Sequence, residues 1–346
     1  MMVDLTISII NFNNEKLLEE CLTSIYETAK KISFEIWVVD NYSMDNSVEM
    51  VRTKFPQVNL IVNPHHKGFS TNHNQVLSRM DGRYALILSD DVIVKPNALD
   101  YMVEFMDEHS DIGILGPKEF FPDGRLQKFH CLETRSLWSE FLEAFMISPF
   151  LRRVFPELRF PGQLYMSSLK DYDYAHEVAS VHGSCLMVRK KMLDQIGLME
   201  EKYYFYYEEP DICLRAKKAG YKVYYTPDAQ IIHYFAATTR KSNPFFMIDK
   251  SLNALHSFYK KFYGLSGSIL VGCITIASSI FILFTLPFIY IFDVKKREVI
   301  KRNIIATLRI LHWYFTFGGR FSSKKKNVYL DLPSISCNRS GYTLEV

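Results

Sequence analysis

The sequence predicts an α/β fold, a mostly parallel sheet with helices on both faces, followed by a basic, membrane-associated helical region. Three observations predict it. Strand-like and helix-like segments alternate over the first hundred residues, every strand there exits into polar or acidic residues, and residues 265–292 form an uncharged run of 28 residues. Repeated βα units of this kind build parallel sheets covered on both faces.

The elements follow in order. "LTISIINF" (5–12) reads as a buried strand, and "NNEKLLEECLTSIYETAK" (13–30) sets Leu17, Leu18, Cys21, Leu22 and Ile25 on one helical face. "FEIWVVDN" (34–41) is a second strand, "SVEMVRTKF" (47–55) a helix and "VNLIVN" (58–63) a third strand. "TNHNQVLSRM" (71–80) continues as a helix and "YALILSD" (84–90) as a fourth strand. Further on, "DICLRAKKAG" carries Ile212, Ala216 and Ala219 on one face, with Pro210 at the expected first helical position and Gly220 as the stop.

Composition bounds the function. With 346 residues and 48% apolar content the chain supports a sizeable core, as one large domain with an appendage or as two domains. The six cysteines are scattered with no CxxC pair, which excludes a zinc ribbon and a disulfide framework and fits a reducing compartment. The opening "MMVDLTISII" has an acid where a signal peptide has a basic region. Net charge is +3, yet residues 1–240 hold 26 Lys/Arg against 33 Asp/Glu while residues 241–346 hold 15 against 5. No nucleic-acid partner is expected.

The positive tail surrounds the uncharged run. As one helix 28 residues measure about 42 Å, more than a bilayer core of about 30 Å. Basic residues flank it on both sides (Lys260, Lys261, then Lys295, Lys296, Arg297), so a simple span leaves one cluster on the unfavoured side. A re-entrant hairpin bent near Ser278–Ser279 or Pro287, or an in-plane helix, satisfies the charge rule better; the span stays open. "NIIATLRILHWYF" (303–315) spaces Ile304, Leu308, Leu311 and Phe315 helically, as a surface-lying amphipathic helix does.

The strand ends carry the chemistry, since ligands on such sheets sit at the carboxyl ends of the strands. Turn and cap chemistry accounts for Asn14 and Asn63. Adjacent Asp90 and Asp91 at the tip of the apolar "LILSDDVIV" repel each other unless a cation relieves them, and hard oxygen ligands suit Mg²⁺ or Mn²⁺. There is no GxGxxG after the first strand and no GxxxxGK[ST] anywhere, so a bound nucleotide is held by metal and side chains. Asp40, Asn41 and Ser43 can pair with a pyrimidine edge and ribose hydroxyls; in "HHKGFSTNHN" (65–74) Lys67 offers phosphate charge and Gly68 a tight turn.

"ISIINFNNEKLLEECLTSI", "EIWVVDNYSMDNS", "KGFSTNHNQVL", "LILSDDVIV", "GPKEFFPDGRLQ" and the block from "VHGSC" to "IIHYFAATT" together resemble a family-2 glycosyltransferase of the rhamnosyltransferase-like branch, in order over residues 5–240. The resemblance implies a GT-A fold, a nucleotide-diphospho-sugar donor, a divalent metal (Mg²⁺ or Mn²⁺) and inversion at the anomeric carbon. It implies base contact by Asp40, pocket positions at Asn11 and Asn13, and nucleotide-sugar contacts extending to Asn74 and Asp90. Asp91 matches the metal-binding acid, while Leu88 and Ser89 stand where other members place a first acid or Asn. His233 resembles a histidine that completes the metal site; a lone His on a strand is equally a structural residue.

The same resemblance addresses "FYYEEPDICLRAKKAGYKVYY" (205–225), where Glu208, Glu209 and Asp211 crowd a helix start. The family has an acidic pair here whose second member is the general base, so Glu209 is the expected catalytic residue and Glu208 its rival. Acids in a first turn are also favoured by the helix dipole, by about 0.3–1 kcal/mol, and that alone accounts for Asp211. The preceding tyrosines, Tyr207 included, suggest a platform for a sugar ring, and Gly183 and Ser184 let an acceptor approach the backbone. Acceptor contacts are thus expected at Gly183, Ser184, Tyr207 and Asp211.

The expected organisation is a catalytic domain over 1–240, with a nucleotide-sugar half (1–116) and an acceptor half (117–240), then a membrane-associated region over 241–346. The expected function is transfer of a sugar, dTDP-rhamnose being the favoured donor, to a lipid-linked (undecaprenyl-diphosphate) glycan in bacterial cell-surface polysaccharide synthesis. The expected location is the cytoplasmic face of the cell membrane, through residues 265–315; a homo-oligomer is compatible with the sequence. The alternatives are a non-catalytic nucleotide-sugar-binding scaffold subunit of a glycan-assembly complex, and a nucleotidyltransferase on a similar sheet.

Overall fold

The computed structural model describes residues 3–128, 131–132, 135–155, 161–162, 164, 169–235, 243–292 and 297–316. The segment "ATT" (237–239) and Cys337 lie outside them. The chain divides into two units. The first comprises Met1–Thr134, Tyr165–Glu201 and Glu208–Thr238; the second comprises Arg135–Leu164, Lys202–Tyr207 and Thr239–Val346.

In the first unit the expected alternation is present: β1 (Leu5–Asn11), α1 (Glu15–Thr28), β2 (Phe34–Asp40), α2 (Ser47–Lys54), β3 (Asn59–Val62), α3 (Phe69–Leu77) and β4 (Tyr84–Ser89). β5 (Val92–Val94), α4 (Ala98–Glu108) and β6 (Ile112–Phe120) follow, with the short β7 (Cys131–Leu132). The unit resumes after the helices α5 (Leu137–Ala144) and α6 (Ile147–Val154) of the second unit. It adds β8 (His176–Glu177), β9 (Ser180–Val181), β10 (Cys185–Arg189), α7 (Lys190–Ile196), α8 (Glu208–Lys218) and β11 (Lys222–His233).

The main sheet runs β3-β2-β1-β4-β10-β6-β11-β5, with β8 on β11. β1 pairs in parallel with β2 and β4, and β11 with β6; β10 is antiparallel to both β4 and β6. The inserted β10 has a consequence for domain structure. The expected division at 116/117 falls inside β6, and a strand from the later half sits between β4 and β6, so both halves share one sheet. Leu5, Ile7 and Ile9 of β1 and Leu86 and Leu88 of β4 are fully buried against Leu18, Leu22 and Ile25 of α1 on one face. Ala85 and Ile87 face the opposite core with Leu186, Val188, Ile212 and Ala216. Apolar side chains covered on both faces are what a central parallel strand requires.

α8 begins two residues earlier than expected, so Pro210 is its third residue and Glu208 and Glu209 lie within the first turn. Proline is tolerated there because first-turn N–H groups have no intrahelical acceptor. Gly220 ends the helix in the left-handed region at φ 89°.

In the second unit α9 (Pro244–Phe292) is interrupted at Gly264, whose φ of 72° and ψ of −171° suit glycine alone. His256 Nδ1 lies 2.9 Å from Ser268 Oγ, although a straight helix would separate them by about 18 Å. The chain therefore folds back, and the expected bend near Ser278–Ser279 or Pro287 is corrected to Gly264: the helix passes unbroken through both other places. α10 (Arg297–Phe315) returns along α9, with Ile300 and Ile304 near Ile282 and Leu286, and His256 against Trp313 and Tyr314. Its buried residues are Ile300, Thr307, Ile310 and Trp313; of the stripe expected on a surface-lying helix, Leu308 (52% exposed) and Phe315 (76%) face outward, and Ile304 and Leu311 are half-buried. Within α9, Pro244–Pro287 has a window of mean hydropathy 2.5, long and apolar enough to cross a membrane.

Candidate active site

The strand exits assemble two clusters. At the β1 and β2 ends, Asn11 Nδ2 donates to Asp40 Oδ1 (2.9 Å) and to Ser43 Oγ (3.0 Å), and the Ser43 amide donates to Asp40 Oδ2 (3.0 Å). Asn13, at φ 53°, donates its amide to Ser43 Oγ, and its side-chain oxygen accepts from the Met44 amide at 2.6 Å. Asn41 and Lys67 clasp each other: Asn41 Oδ1 accepts from Lys67 N (2.8 Å) and Asn41 Nδ2 donates to Lys67 O (3.1 Å). Asp40, only 1% exposed, is thus fixed by two residues, Asn11 and Ser43, at the carboxyl end of β2. Phe12 and Tyr42 meet His66 edge-on, with centroids 4.6 and 5.4 Å apart, giving this corner an aromatic surface.

Asp90 ties this corner to the next. Its Oδ2 accepts from Asn14 Nδ2 (3.0 Å) and from the Phe12 amide (3.3 Å), so β4 and β1 end in one network. Gly68 caps α3 in an extended conformation at φ −69°, which corrects the expected tight turn: no left-handed backbone is needed there.

The second cluster comes from the strand order. β11 lies between β6 and β5, pairing His233 with Val92, next to Asp91, and Ile231 with Glu119. His233 Nε2 is 3.4 Å from Asp91 Oδ1, and its Nδ1 is 3.1 Å from Glu119 Oε2. Glu119 Oε1 accepts from Ser184 Oγ at 2.5 Å, and Oε2 is 3.5 Å from His182 Nδ1. Burial opposes a charged imidazole, but the Asp91 and Glu119 carboxylates outweigh it and raise His233 to about 9. Burial would likewise raise Glu119, and the flanking His182 and His233 hold it well below the usual carboxylate range.

The donor set fits a divalent cation. Asp91 Oδ1 and His233 Nε2, 3.4 Å apart, offer an oxygen and a nitrogen, a mixture suited to Mn²⁺ and accessible to Mg²⁺. Glu119, His182 and His233 form a second grouping, with ligand atoms within 4.8 Å of one another. A neutral imidazole has one lone pair, so His233 can ligate through one nitrogen while the other donates.

The acid pair at α8 is anchored beside this cluster. Glu209 Oε1 accepts from the Gly183 amide at 2.9 Å, and a Cβ on Gly183 would lie 2.7 Å from that oxygen. The adjacent Ser184 accepts from the Ser89 amide through its carbonyl at 2.9 Å. The 183–184 dipeptide thus links Glu209 to the Ser89–Asp91 turn. Glu208 is buried at 2% exposure, whereas Glu209 is partly exposed.

Other expected contacts are drawn elsewhere. Asn74 spends its amide on Met199 and Glu201, holding that turn rather than facing the nucleotide side. Asp211 is fully buried and bound to Arg215 at 2.6 Å, and Arg215 in turn donates to the carbonyls of Ile196, Gly197 and Leu198. Ser184 is buried with its hydroxyl on Glu119. Tyr207 belongs to the second unit, where its ring packs 5.4 Å from Phe258 under the Arg135 guanidinium. Tyr203, Tyr206 and Tyr207 are buried, which corrects the expectation of an open aromatic platform.

Glu119 and His182 were not anticipated. Glu119 looks like an ordinary strand residue in "GPKEFF", and His182 like part of a small-residue turn; only the pairing of β6, β10 and β11 makes them neighbours.

Comparison with known proteins agrees with this architecture. The Glycosyl transferase family 2 profile matches residues 6–197. The N-acetylglucosaminyl-diphospho-decaprenol L-rhamnosyltransferase of Mycobacterium tuberculosis is 24% identical over 233 residues, covering 64% of this chain and 73% of that protein. Among solved structures, the mannosyltransferase PcManGT from Pyrobaculum calidifontis, in complex with GDP-Man and Mn²⁺, is similar at TM-score 0.50 and 13% identity over 91% of this chain and 87% of that one. Staphylococcus aureus TarS matches at TM-score 0.45 and 16% identity over 76% of this chain, which spans less than half, 44%, of the TarS chain. With more than half of its residues inside the family profile, on a GT-A sheet whose strand exits gather an acid-rich site, the chain belongs to glycosyl transferase family 2 and is a glycosyltransferase.

Proposed function

We propose that the protein transfers a sugar from a nucleotide diphosphate to a lipid-linked glycan at the cytoplasmic face of a membrane, with inversion, and that Glu209 is its general base. The observation that carries the reading is the tether of Glu209 to Gly183, one residue from the Ser184–Ser89 bond that leads to Asp91. It supports a base and a cation site on one substrate. In an inverting transfer the Glu209 carboxylate takes the proton of the acceptor hydroxyl as that oxygen bonds to the anomeric carbon. The bond from that carbon to the diphosphate breaks on the opposite face, and the nucleotide diphosphate leaves with the electron pair.

A divalent ion held by Asp91 and His233 would supply positive charge against the departing diphosphate. The chain's own residues do the rest. Asp40, with Asn11 and Ser43 fixing its orientation, accepts from the base, and Asn41 and Lys67 flank it. Gly183 holds Glu209 still, and α8 lends its N-terminal dipole to the charged carboxylate, worth about 0.3–1 kcal/mol.

The M. tuberculosis relative supports both a rhamnose donor and a polyprenyl-diphosphate acceptor: its name couples an L-rhamnosyl transfer to a decaprenol-linked N-acetylglucosamine. The apolar α9 supports an enzyme that meets such an acceptor within the membrane. The test is a donor screen by mass spectrometry, using the full chain in membranes that contain lipid-linked acceptor. The expected result is one added deoxyhexose from dTDP-rhamnose with wild type, and none with Glu209→Gln, which still binds the donor. Transfer by Glu209→Gln at the wild-type rate would refute the assignment. Donor binding without turnover in wild type would favour the scaffold alternative.

A further inference from the structure

The second unit carries an apolar surface outside the long helix. α6, "ISPFLRRV", buries Ser148 and presents Ile147, Phe150 and Val154, spaced i, i+3 and i+7, at 37%, 62% and 47% exposure; Phe155 follows at 53%. A stripe that a soluble fold would turn inward is here turned out. The polar side is fixed: Arg152 donates to Ser148 Oγ at 2.9 Å and pairs with the buried Glu143 at 2.6 Å. Arg153 remains exposed at the margin.

The turn leading into α6 touches α9. Phe145, two residues before α6, lies 4.8 Å from Phe141 on one side and 5.7 Å from Phe281 on the other. Phe281 is 44% exposed, and its neighbours Ile280 and Phe284 are 57% and 71% exposed. These belong to the run 265–292, which has no charged residue. A protein partner's interface needs a polar rim and a hydrogen bond per roughly 100–200 Å². Among the described residues around Ile280, Phe281 and Phe284 the α9 face has no charged side chain to form such a rim, whereas an apolar stripe edged by a cation suits an acyl boundary beneath lipid phosphates.

We propose that α6 is a second membrane contact: its Ile147–Phe150–Val154–Phe155 face enters the same leaflet as the adjoining face of α9, with Arg153 at the phosphate level. This rests on the reading of α9 as lipid-associated. It adds an anchor that sequence hydropathy cannot find, because eight residues are too few to register as a membrane segment.

The experiment uses the full chain with Cys273→Ser and Phe150→Cys, labelled with nitrobenzoxadiazole and mixed with phosphatidylcholine/phosphatidylglycerol vesicles. The Cys273→Ser parent passes through the same labelling, and Lys54→Cys, exposed on the first unit, serves as a reference site. Expected are a severalfold rise in emission at position 150, quenching by acyl-chain nitroxide lipids, and no change at position 54. In flotation with the same vesicles, Phe150→Asp/Val154→Asp is expected to lower partitioning about tenfold. If the chain floats but the probe at 150 neither brightens nor is quenched, α6 is not a membrane contact and the α9 reading stands. If the chain does not float, both readings fall.

Discussion

Glu119 and His233 share a buried contact, Oε2 to Nδ1 at 3.1 Å, on neighbouring parallel strands. In the neutral imidazole that a cation requires, the carboxylate would hold the Nδ1–H and leave Nε2 for an ion shared with Asp91. Partners of this kind typically contribute 10–100-fold to metal affinity. Glu119→Gln keeps the shape and removes the charge, so Mn²⁺ binding, followed by electron paramagnetic resonance of the free ion, should weaken by about 10–100-fold. Excess Mn²⁺ should restore part of the turnover. Unchanged affinity would mean that Glu119 orients nothing the ion depends on.

Gly183 has no room for a side chain, since a Cβ would stand 2.7 Å from Glu209 Oε1. Gly183→Ala must therefore displace the carboxylate while leaving the Asp40 corner untouched. A misplacement of about 1 Å in a reacting group can cost roughly 10²-fold. The expected result is a kcat lower by about that factor with an unchanged donor Kd, measured by initial rates and calorimetry. A variant with wild-type kcat would show that Glu209 is not the group whose position matters.

Both predictions concern contacts of unequal visibility in the sequence. The seven elements from β1 to β4 were legible because their apolar periodicities switch between strand and helix and their ends carry polar punctuation. Asp40 and Asp91 were legible for the same reason, standing where strands stop. Glu119 and His182 were not, because the antiparallel β10 and the β6–β11–β5 order that assemble them are long-range pairings without local signature. The aromatic run 203–207 misled for the opposite reason: its composition suits a sugar platform, yet α9 offers Phe246 and Phe258 for Tyr204 and Tyr207 to pack on. The bend at Gly264 stands at the boundary between the charged stretch ending in Lys260–Lys261 and the uncharged run, whereas the charge argument looked for a bend within the run itself.

His73 supplies a pH dependence away from the site. It is fully buried in α3, with Nδ1 2.8 Å from Ser8 Oγ, and burial lowers its pKa from 6.5 to about 3. Below pH 6.5 the unfolded chain takes up a proton that the folded one refuses, so this contribution is complete above 6.5 and falls as the pH drops toward 3. The slope is about 1.4 kcal/mol per pH unit, or roughly 2 kcal/mol between pH 6.5 and 5. His73→Asn should flatten that part of the stability profile by the same amount, measured by denaturant titration across the range. Parallel profiles for the two proteins would assign the acid sensitivity elsewhere.

Gly264 tests the helical hairpin. Its backbone, φ 72° and ψ −171°, lies where a Cβ is strained, at a cost of about 1–3 kcal/mol. The fold-back it permits is held by modest contacts: His256 meets Ser268 at 2.9 Å and Tyr314 at 3.0 Å, and a Cβ at Gly272 would stand 3.1 Å from His256 Cε1. Gly264→Ala adds a strain comparable to what those contacts contribute, and it favours continuing the helix, which would carry positions 256 and 268 to about 18 Å apart. Spin labels at the exposed Asn253 and Leu270 should therefore report a short distance in the wild type and a long or broadened one in the variant, with a lower thermal midpoint in detergent. Donor binding should persist, because Asp40 and Asp91 lie in the other unit. A distance distribution unchanged by the substitution would mean that α10, bound to α9 through Arg309 and Asp249, sets the reversal rather than the glycine.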